Sequence, residues 1–191
     1  MSGAATRDQI VESADRLFYH RGYEHTSFAD IAAAVGLSRG NFYYHFKSKD
    51  AILDAVIESR LAGTRRMLEQ WEDEQPTPGG RILRFVEIVL TNGPDIRRYG
   101  CPVGTLNTEL AKLDHTLRDQ ARRLFTLFRD WLREQFTLLG HAEQADELAM
   151  HVLAFSQGVA VLSQAFGDEE FVRREVDRMR DWLSAYEKRE I

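Results

Sequence analysis

The sequence predicts an all-α protein, and three observations carry that prediction. The four prolines, at positions 76, 78, 94 and 102, fall in one stretch and leave long proline-free blocks on both sides. Helix interiors require such blocks, because proline lacks an N–H and clashes with the preceding turn. Strict apolar–polar alternation is not sustained anywhere, so half-buried strands are not expected. Apolar residues recur instead at i, i+3, i+4 and i+7, which gathers them on one face of a helix.

Taken in order, the first helix is expected to open at Thr6, with Gln9 completing a capping box, and to stop at Gly22. Its apolar face is Ile10, Val11, Ala14, Leu17 and Phe18. Thr26 or Ser27 caps a short second helix carrying Phe28, Ile31, Ala32 and Val35. Gly36 breaks it, Leu37 packs inward, and Ser38 caps a third short helix through Phe46. Ser48 restarts a long helix running through Ile52, Ala55, Val56 and Leu61 towards Trp71. The segment from Gln75 to Gly80 holds two prolines and two glycines and is the strongest turn signal in the chain. A helix near Ile82 to Thr91 follows, then a loop from Asn92 to Asp95, then a short helix opening at Pro102. From about His115 to Leu139 a long helix carries Leu117, Ala121, Leu124, Phe125, Phe128, Leu132 and Phe136 on one face. The last two helices span roughly His141 to Phe166 and Asp168 to Lys188, hinged at Gly167. Asp168, Glu169 and Glu170 at the start of the final helix, with Lys188 and Arg189 at its end, suit the helix dipole. The total is about nine helices.

Composition narrows the function classes. With 191 residues the chain can hold a small domain and a larger one, and a net charge of −5 does not at first suggest a nucleic-acid partner. No apolar run approaches the ~20 residues of a spanning helix, and the start lacks a signal-peptide core, so no membrane and a cytoplasmic location are expected. One cysteine makes neither an intrachain disulfide nor a cysteine-based zinc site. His141 and His151 are ten apart on one helix, too far for a shared metal, and His20 and His25 flank a glycine turn. Neither a phosphate loop, nor a G-x-S-x-G elbow, nor an H-E-x-x-H pair is present. No metal, no cofactor and no enzymatic activity are expected.

Two short helices split by a Gly36 turn are the sequence form of a helix-turn-helix. The second, residues 38–49, carries Arg39, Lys47 and Lys49 and no acid. Phe42 and Phe46, four apart, can face the core, which leaves Arg39, Asn41, Tyr43 and Tyr44 to face outward. Arg reads guanine bidentately, Asn reads adenine, and Tyr and His suit phosphate oxygens. Lys49 follows the cap Ser48, where a new helix N-terminus also offers N–H groups to phosphate. On pattern alone, a solvated basic face of an ordinary three-helix core fits as well as DNA binding. Charge distribution favours the latter. Residues 1–50 hold six Lys/Arg and six Asp/Glu, residues 51–191 hold 19 and 24, so the acidity sits outside the first fifty residues.

The stretch Ile10 to Leu53 resembles the DNA-binding domain of the TetR/AcrR family of transcriptional regulators. The residues that carry the resemblance are Ala14, Leu17-Phe18, Gly22-Tyr23, Thr26-Ser27, Ile31–Ala33, Val35–Ser38 and Asn41–Leu53, above all the run from Tyr43 to Lys49. The resemblance implies a nine-helix homodimer, with residues 1–50 as reading head (helix-turn-helix about 27–46) and residues 51–191 as ligand-binding and dimerisation body. It also implies a palindromic double-stranded DNA operator, and a repressor released by a small molecule. Carried over by position, Thr26 or Ser27, Tyr43, His45 and Lys49 match phosphate contacts. Ser38, Arg39, Gly40 and Asn41 match positions that reach the major groove, with Tyr44 beside them.

The body is less explicit. A small-residue stripe, Ala154, Gly158, Val161 and Ala165, would let another helix approach closely, and Val172, Val176, Met179 and Leu183 repeat along the last helix. By the resemblance the last two helices, about 141–188, pair with their copies, though either stripe also suits an intrachain core. Candidate walls for an apolar or aromatic effector are Met67, Trp71, Phe85, Ile88, Phe125, Phe128 and Phe155, with Cys101 beside them. Cys101 precedes Pro102, a first helical position, with Arg97 and Arg98 nearby. That setting lowers a thiol pKa and would suit an oxidant or electrophile sensor, whereas a small buried residue at a tight helix start is the plainer account.

Overall fold

The computed structural model describes residues 3–187. Their regular elements are all α-helices: α1 (Gly3–Arg21), α2 (Phe28–Ala34), α3 (Arg39–His45), α4 (Lys49–Glu74), α5 (Pro78–Val86), α6 (Ile88–Thr91), α7 (Gly93–Tyr99), α8 (Pro102–Lys112), α9 (Arg118–Leu138), α10 (Ala145–Phe166) and α11 (Glu169–Glu187). Only Glu87 and Asn92 interrupt α5 to α7, and counted as one broken run these bring the eleven segments among the described residues to the nine expected.

Two segments expected to be turns open helices instead. The Pro78–Gly80 signal opens α5 rather than a loop: Thr77 caps it by accepting from the Gly80 N–H at 3.1 Å, and Pro78 stands where a missing N–H costs nothing. Gly93-Pro94 likewise begins α7, inside the expected loop. The first helix begins three residues before Thr6, which is buried within it instead of capping it. The hinge is as expected: Gly167, at φ +67°, ends α10, and its N–H bonds the Ser163 carbonyl. Asp168 then accepts from the Phe171 N–H at 2.9 Å to start α11. Lys188 and Arg189 lie outside the described residues.

The chain forms two compact units that do not follow chain order. Met1–Thr64 joins Pro102–Leu124 in one, and Arg65–Cys101 joins Phe125–Ile191 in the other. The boundary read at residue 50 therefore falls inside the first unit, and α4 and α9 each contribute to both. In the first unit α1 packs on α2 and α8 around Ile10, Ala14, Phe18, Ile31, Phe42, Ile52, Leu53, Val56, Leu106 and Leu110, all buried. Arg60 of α4 ties this unit together. It donates from Nε to Asp15 of α1 at 2.7 Å and from a terminal nitrogen to the Pro102 carbonyl of α8 at 2.7 Å.

In the second unit α7 packs on α10, and α5 and α10 pack on α11. Val172, Val176, Met179 and Leu183 of α11 are 0–6% exposed. They are core of their own chain, so this half of the expected dimer face is corrected: the apolar stripe of α11 is spent on α5 and α10. The four α10 residues behave oppositely. Ala154, Gly158, Val161 and Ala165 are all exposed, and so are Met150, Leu162 and Phe166. With an inner face buried and an outer face apolar, the 22-residue α10 holds an 18-residue stretch of mean hydropathy 1.3, long and apolar enough by length and composition alone to cross a membrane. Asp146, Glu147, His151, Gln157 and Gln164 interrupt it, so it is a long helix without a continuous apolar run. A helix apolar on both faces, with Leu148, Val152, Val159 and Ala160 in the core of this fold, accounts for the hydropathy.

Candidate nucleic-acid interface

The site is built by caps at each end of two short helices. Ser27 starts α2: its hydroxyl accepts from the Asp30 N–H at 3.1 Å, and the Asp30 carboxylate accepts from the Ser27 N–H at 2.8 Å. The same hydroxyl donates to Asp30, and these bonds hold the Asp30 carboxyl below the usual carboxylate range. Gly36, at φ +66°, ends α2: its N–H bonds Ala33, and the Leu37 N–H bonds Ala32. This pair of bonds satisfies the last carbonyls and turns the chain sharply. Ser38 caps α3 by accepting from the Asn41 N–H at 3.4 Å. A seven-residue helix cannot hold itself in water, so packing must fix α3. Phe42 supplies it, fully buried with Phe28 edge-on at 4.6 Å, and Phe46 is buried one turn on.

The other side of α3 is open. Asn41 is exposed, Tyr43 and Tyr44 are 48% and 77% exposed, and nothing lies within 4 Å of where a side chain on Gly40 would start. Arg39 is the first residue of this helix. Ser38 is exposed at its start, and His45 is half-buried at its end, its ring edge-on to Tyr44 at 5.2 Å. Two expected phosphate contacts sit otherwise. Thr26 is fully buried and its hydroxyl donates to the Gly22 carbonyl at 2.7 Å, which leaves Ser27 as the surface hydroxyl. Lys49 is half-buried, its ammonium 4.0 Å above the Tyr23 ring and bonded to the Tyr23 carbonyl at 3.0 Å. Arg7 of α1, not singled out in the sequence, lies over the Phe46 ring at 4.8 Å.

The pocket candidates all belong to the second unit. Phe85 and Phe128 are buried against each other, ring centroids 5.2 Å apart, while Met67, Trp71, Ile88, Cys101, Phe125 and Phe155 are half-buried. Trp71 meets Trp131 at 6.0 Å, and the Trp131 indole donates to Glu72 at 2.6 Å. An open groove of about 570 Å³ lies in the first unit, between α8 and α9, lined by Asn107, Ala111, Lys112, Arg118 and Arg122 among others; none of the pocket candidates reaches it. Cys101 stands before Pro102 as expected. Arg97 pairs with Glu169 at 2.6 Å, and Arg98 lies over the Tyr99 ring. The Cys101 sulfur accepts from the Gln157 amide at 3.5 Å.

Comparison with known proteins agrees with this geometry. A sequence model described as bacterial regulatory proteins of the tetR family matches residues 10–56, and one described as the C-terminal domain of LmrA/YxaF-like transcriptional regulators matches residues 91–177. An uncharacterized HTH-type transcriptional regulator of Lactococcus lactis is 26% identical over 92% of this chain and 91% of its own length. The HTH-type transcriptional repressor DhaR of a Mycobacterium species is 28% identical over 70% of this chain and 65% of its own. Among solved structures, a TetR-family regulator from Cytophaga hutchinsonii superposes with a TM-score of 0.85 at 19% identity, covering 100% of this chain and 99% of that one. A TetR regulator from Legionella pneumophila does so at 0.78 and 26%, covering 90% and 95%. The two sequence models fall on the capped α2–α3 pair and on the helices beyond it, and the chain is a member of the TetR family of DNA-binding transcriptional regulators.

Proposed function

We propose that this regulator is a repressor that binds a palindromic operator in cytoplasmic DNA as a homodimer, and leaves it when a small molecule occupies the second unit. The observation that carries the reading is the open side of α3, where Gly40, Asn41, Tyr43 and Tyr44 are exposed on a helix that begins at Arg39, capped at its start and anchored by Phe42. A bare Gly40 lets backbone approach the groove beside Ser38, so base reading falls to Arg39 and Asn41, with Ser27, Tyr43, Tyr44, His45 and Lys49 towards phosphate. In this reading Thr26 serves the fold beneath Ser27. Arg39→Ala is expected to cost about 1–3 kcal/mol of operator affinity and to relax the choice of base at one position. Anisotropy titrations against a duplex selected by the wild type, and its point variants, measure this. Unchanged affinity and unchanged base preference would dismiss the assignment.

The outer face of α10 is the surface for the second copy, since Ala154, Gly158 and Ala165 permit close approach and Val161 and Phe166 supply apolar area. Two heads held by one dimer fit half-sites about one helical turn apart. The effector is apolar or aromatic and lies among Met67, Trp71, Phe85, Ile88, Cys101, Phe125, Phe128 and Phe155. An effector-linked change of about 1–3 kcal/mol would alter operator affinity roughly 5- to 150-fold.

One observation favours a second reading, in which oxidants or electrophiles act at Cys101. The half-buried sulfur accepts from the Gln157 amide of α10, which ties any change at the thiol to that helix. Under it, Cys101→Ser is expected to stay on the operator when an electrophile is added at a concentration that releases the wild type. Equal release of both proteins would remove the sensing role.

A further inference from the structure

Tyr23, in the turn between α1 and α2, is held from every side, and the groups that hold it lie far along the chain. Its ring is 3% exposed. Glu109 of α8 accepts from the Tyr23 and Glu24 N–H groups, each at 2.9 Å. The Tyr23 hydroxyl donates to the Asp50 carboxylate at the start of α4. Burial and this carboxylate push the phenol well above its usual pKa, so it stays a donor. His115, between α8 and α9, sets its ring edge-on to Tyr23 at 4.9 Å and its Nε2 3.2 Å from the hydroxyl. The Leu117 N–H, at the entry to α9, donates to His115 Nδ1 at 3.0 Å. That bond makes Nδ1 the acceptor and leaves the proton on Nε2. His115 Nε2–H thus points to the Tyr23 oxygen, with the Asp50 carboxylate 3.6 Å from the same nitrogen, and the Tyr23 O–H closes the triangle onto Asp50. On its far side Tyr23 holds the Lys49 ammonium through both ring and carbonyl.

We infer that His115 and Glu109 are positioning residues for operator recognition: through Tyr23 they fix Lys49 and the entry to α2, and with them the setting of α3. The inference rests on the operator-binding reading above. Neither residue belongs to the helix-turn-helix, and both come from a segment that the first unit takes from beyond residue 101. With Arg60 gripping the Pro102 carbonyl, α8 is fastened to the head near its start by Arg60, through Glu109 in its last turn, and just beyond its end by His115.

The two nitrogens of His115 do different work, and two substitutions separate them. An Asn oxygen stands where Nδ1 stood, so His115→Asn keeps the bond from Leu117 and loses the donor to Tyr23. A Gln amide nitrogen stands where Nε2 stood, so His115→Gln keeps the donor and loses the acceptor. Each full-length protein is titrated with a duplex that the wild type enriches from random-sequence DNA, and with a scrambled duplex, and its thermal unfolding is recorded. His115→Asn is expected to melt with the wild type and to lose roughly 5- to 30-fold in affinity for the selected duplex, the worth of one or two hydrogen bonds in a charged network, with scrambled DNA bound as before. His115→Gln is expected to melt earlier and to bind the selected duplex as the wild type does below its melting range. In a Tyr23→Phe background, His115→Asn is expected to cost nothing further, since the hydroxyl it acts on is already gone. Wild-type affinity in His115→Asn, losses in both variants that simply follow melting temperature, or an additive effect of Tyr23→Phe would each overturn the inference. A wild-type protein that enriches no duplex would overturn the operator reading and this inference together, and shows itself before any variant is made.

Discussion

Val161→Arg is expected to turn a dimer into a monomer in sedimentation experiments, and to weaken binding to a palindromic duplex by roughly 100-fold or more, because the second head then binds without tethering. Val161 is 63% exposed on the outer face of α10, between Gly158 and Ala165, so an arginine there can extend into solvent in the single chain. A two-fold interface repeats every residue, so one substitution brings two guanidinium groups into the same desolvated, small-residue seam. Half-site binding is expected to persist with its salt dependence, because the head is untouched. Val176→Arg is the contrasting variant: fully buried on α11, it is expected to unfold the chain instead of separating two folded copies. A Val161→Arg protein that still sediments as a dimer would mean that another surface joins the copies.

That contrast marks where the sequence was legible. The head is written in local chemistry. Ser27 with Asp30, the Gly36 turn, the Ser38 cap and the buried Phe42 and Phe46 all depend on neighbours within about four residues, the range over which caps and helical faces are decided. Where two adjacent residues had the same chemistry, the sequence could not choose. Thr26 and Ser27 both carry hydroxyls, and only the fold turns one of them inward. The stripes of α10 and α11 were alike as patterns, yet one faces out and the other is core, since residue type cannot tell an intrachain partner from a second copy. Pro-Gly signals at 78–80 and 93–94 read as turns because the same residues open helices. The Tyr23 network was out of reach. Glu109 and His115 stand 86 and 92 residues away from it, and no spacing rule spans that distance. The hold on Lys49, read only as a phosphate contact, was hidden for the same reason, since the ring that captures it is 26 residues upstream.

Phe42→Ala is expected to abolish operator binding at concentrations where the wild type saturates, while most of the helical signal in circular dichroism remains. Removing a fully buried phenylalanine costs about 3–5 kcal/mol, and α3 has little else to hold it. Its seven residues are too few to persist alone, one side faces solvent, and its inner side is Phe42 against Phe28 with Phe46 at the end. A loss of that size approaches the whole stability of a small three-helix head. The effect should therefore be local melting: amides of residues 28–46 are expected to exchange rapidly with solvent, while those of α10 and α11 keep their protection. Asn41→Ala, one residue earlier but on the exposed side, supplies the control. It is expected to leave exchange and melting unchanged and to weaken only the duplex whose base it reads. If Phe42→Ala bound the operator within a few-fold of wild type, α3 would not be the reading helix, because no recognition surface survives the melting of the helix that carries it.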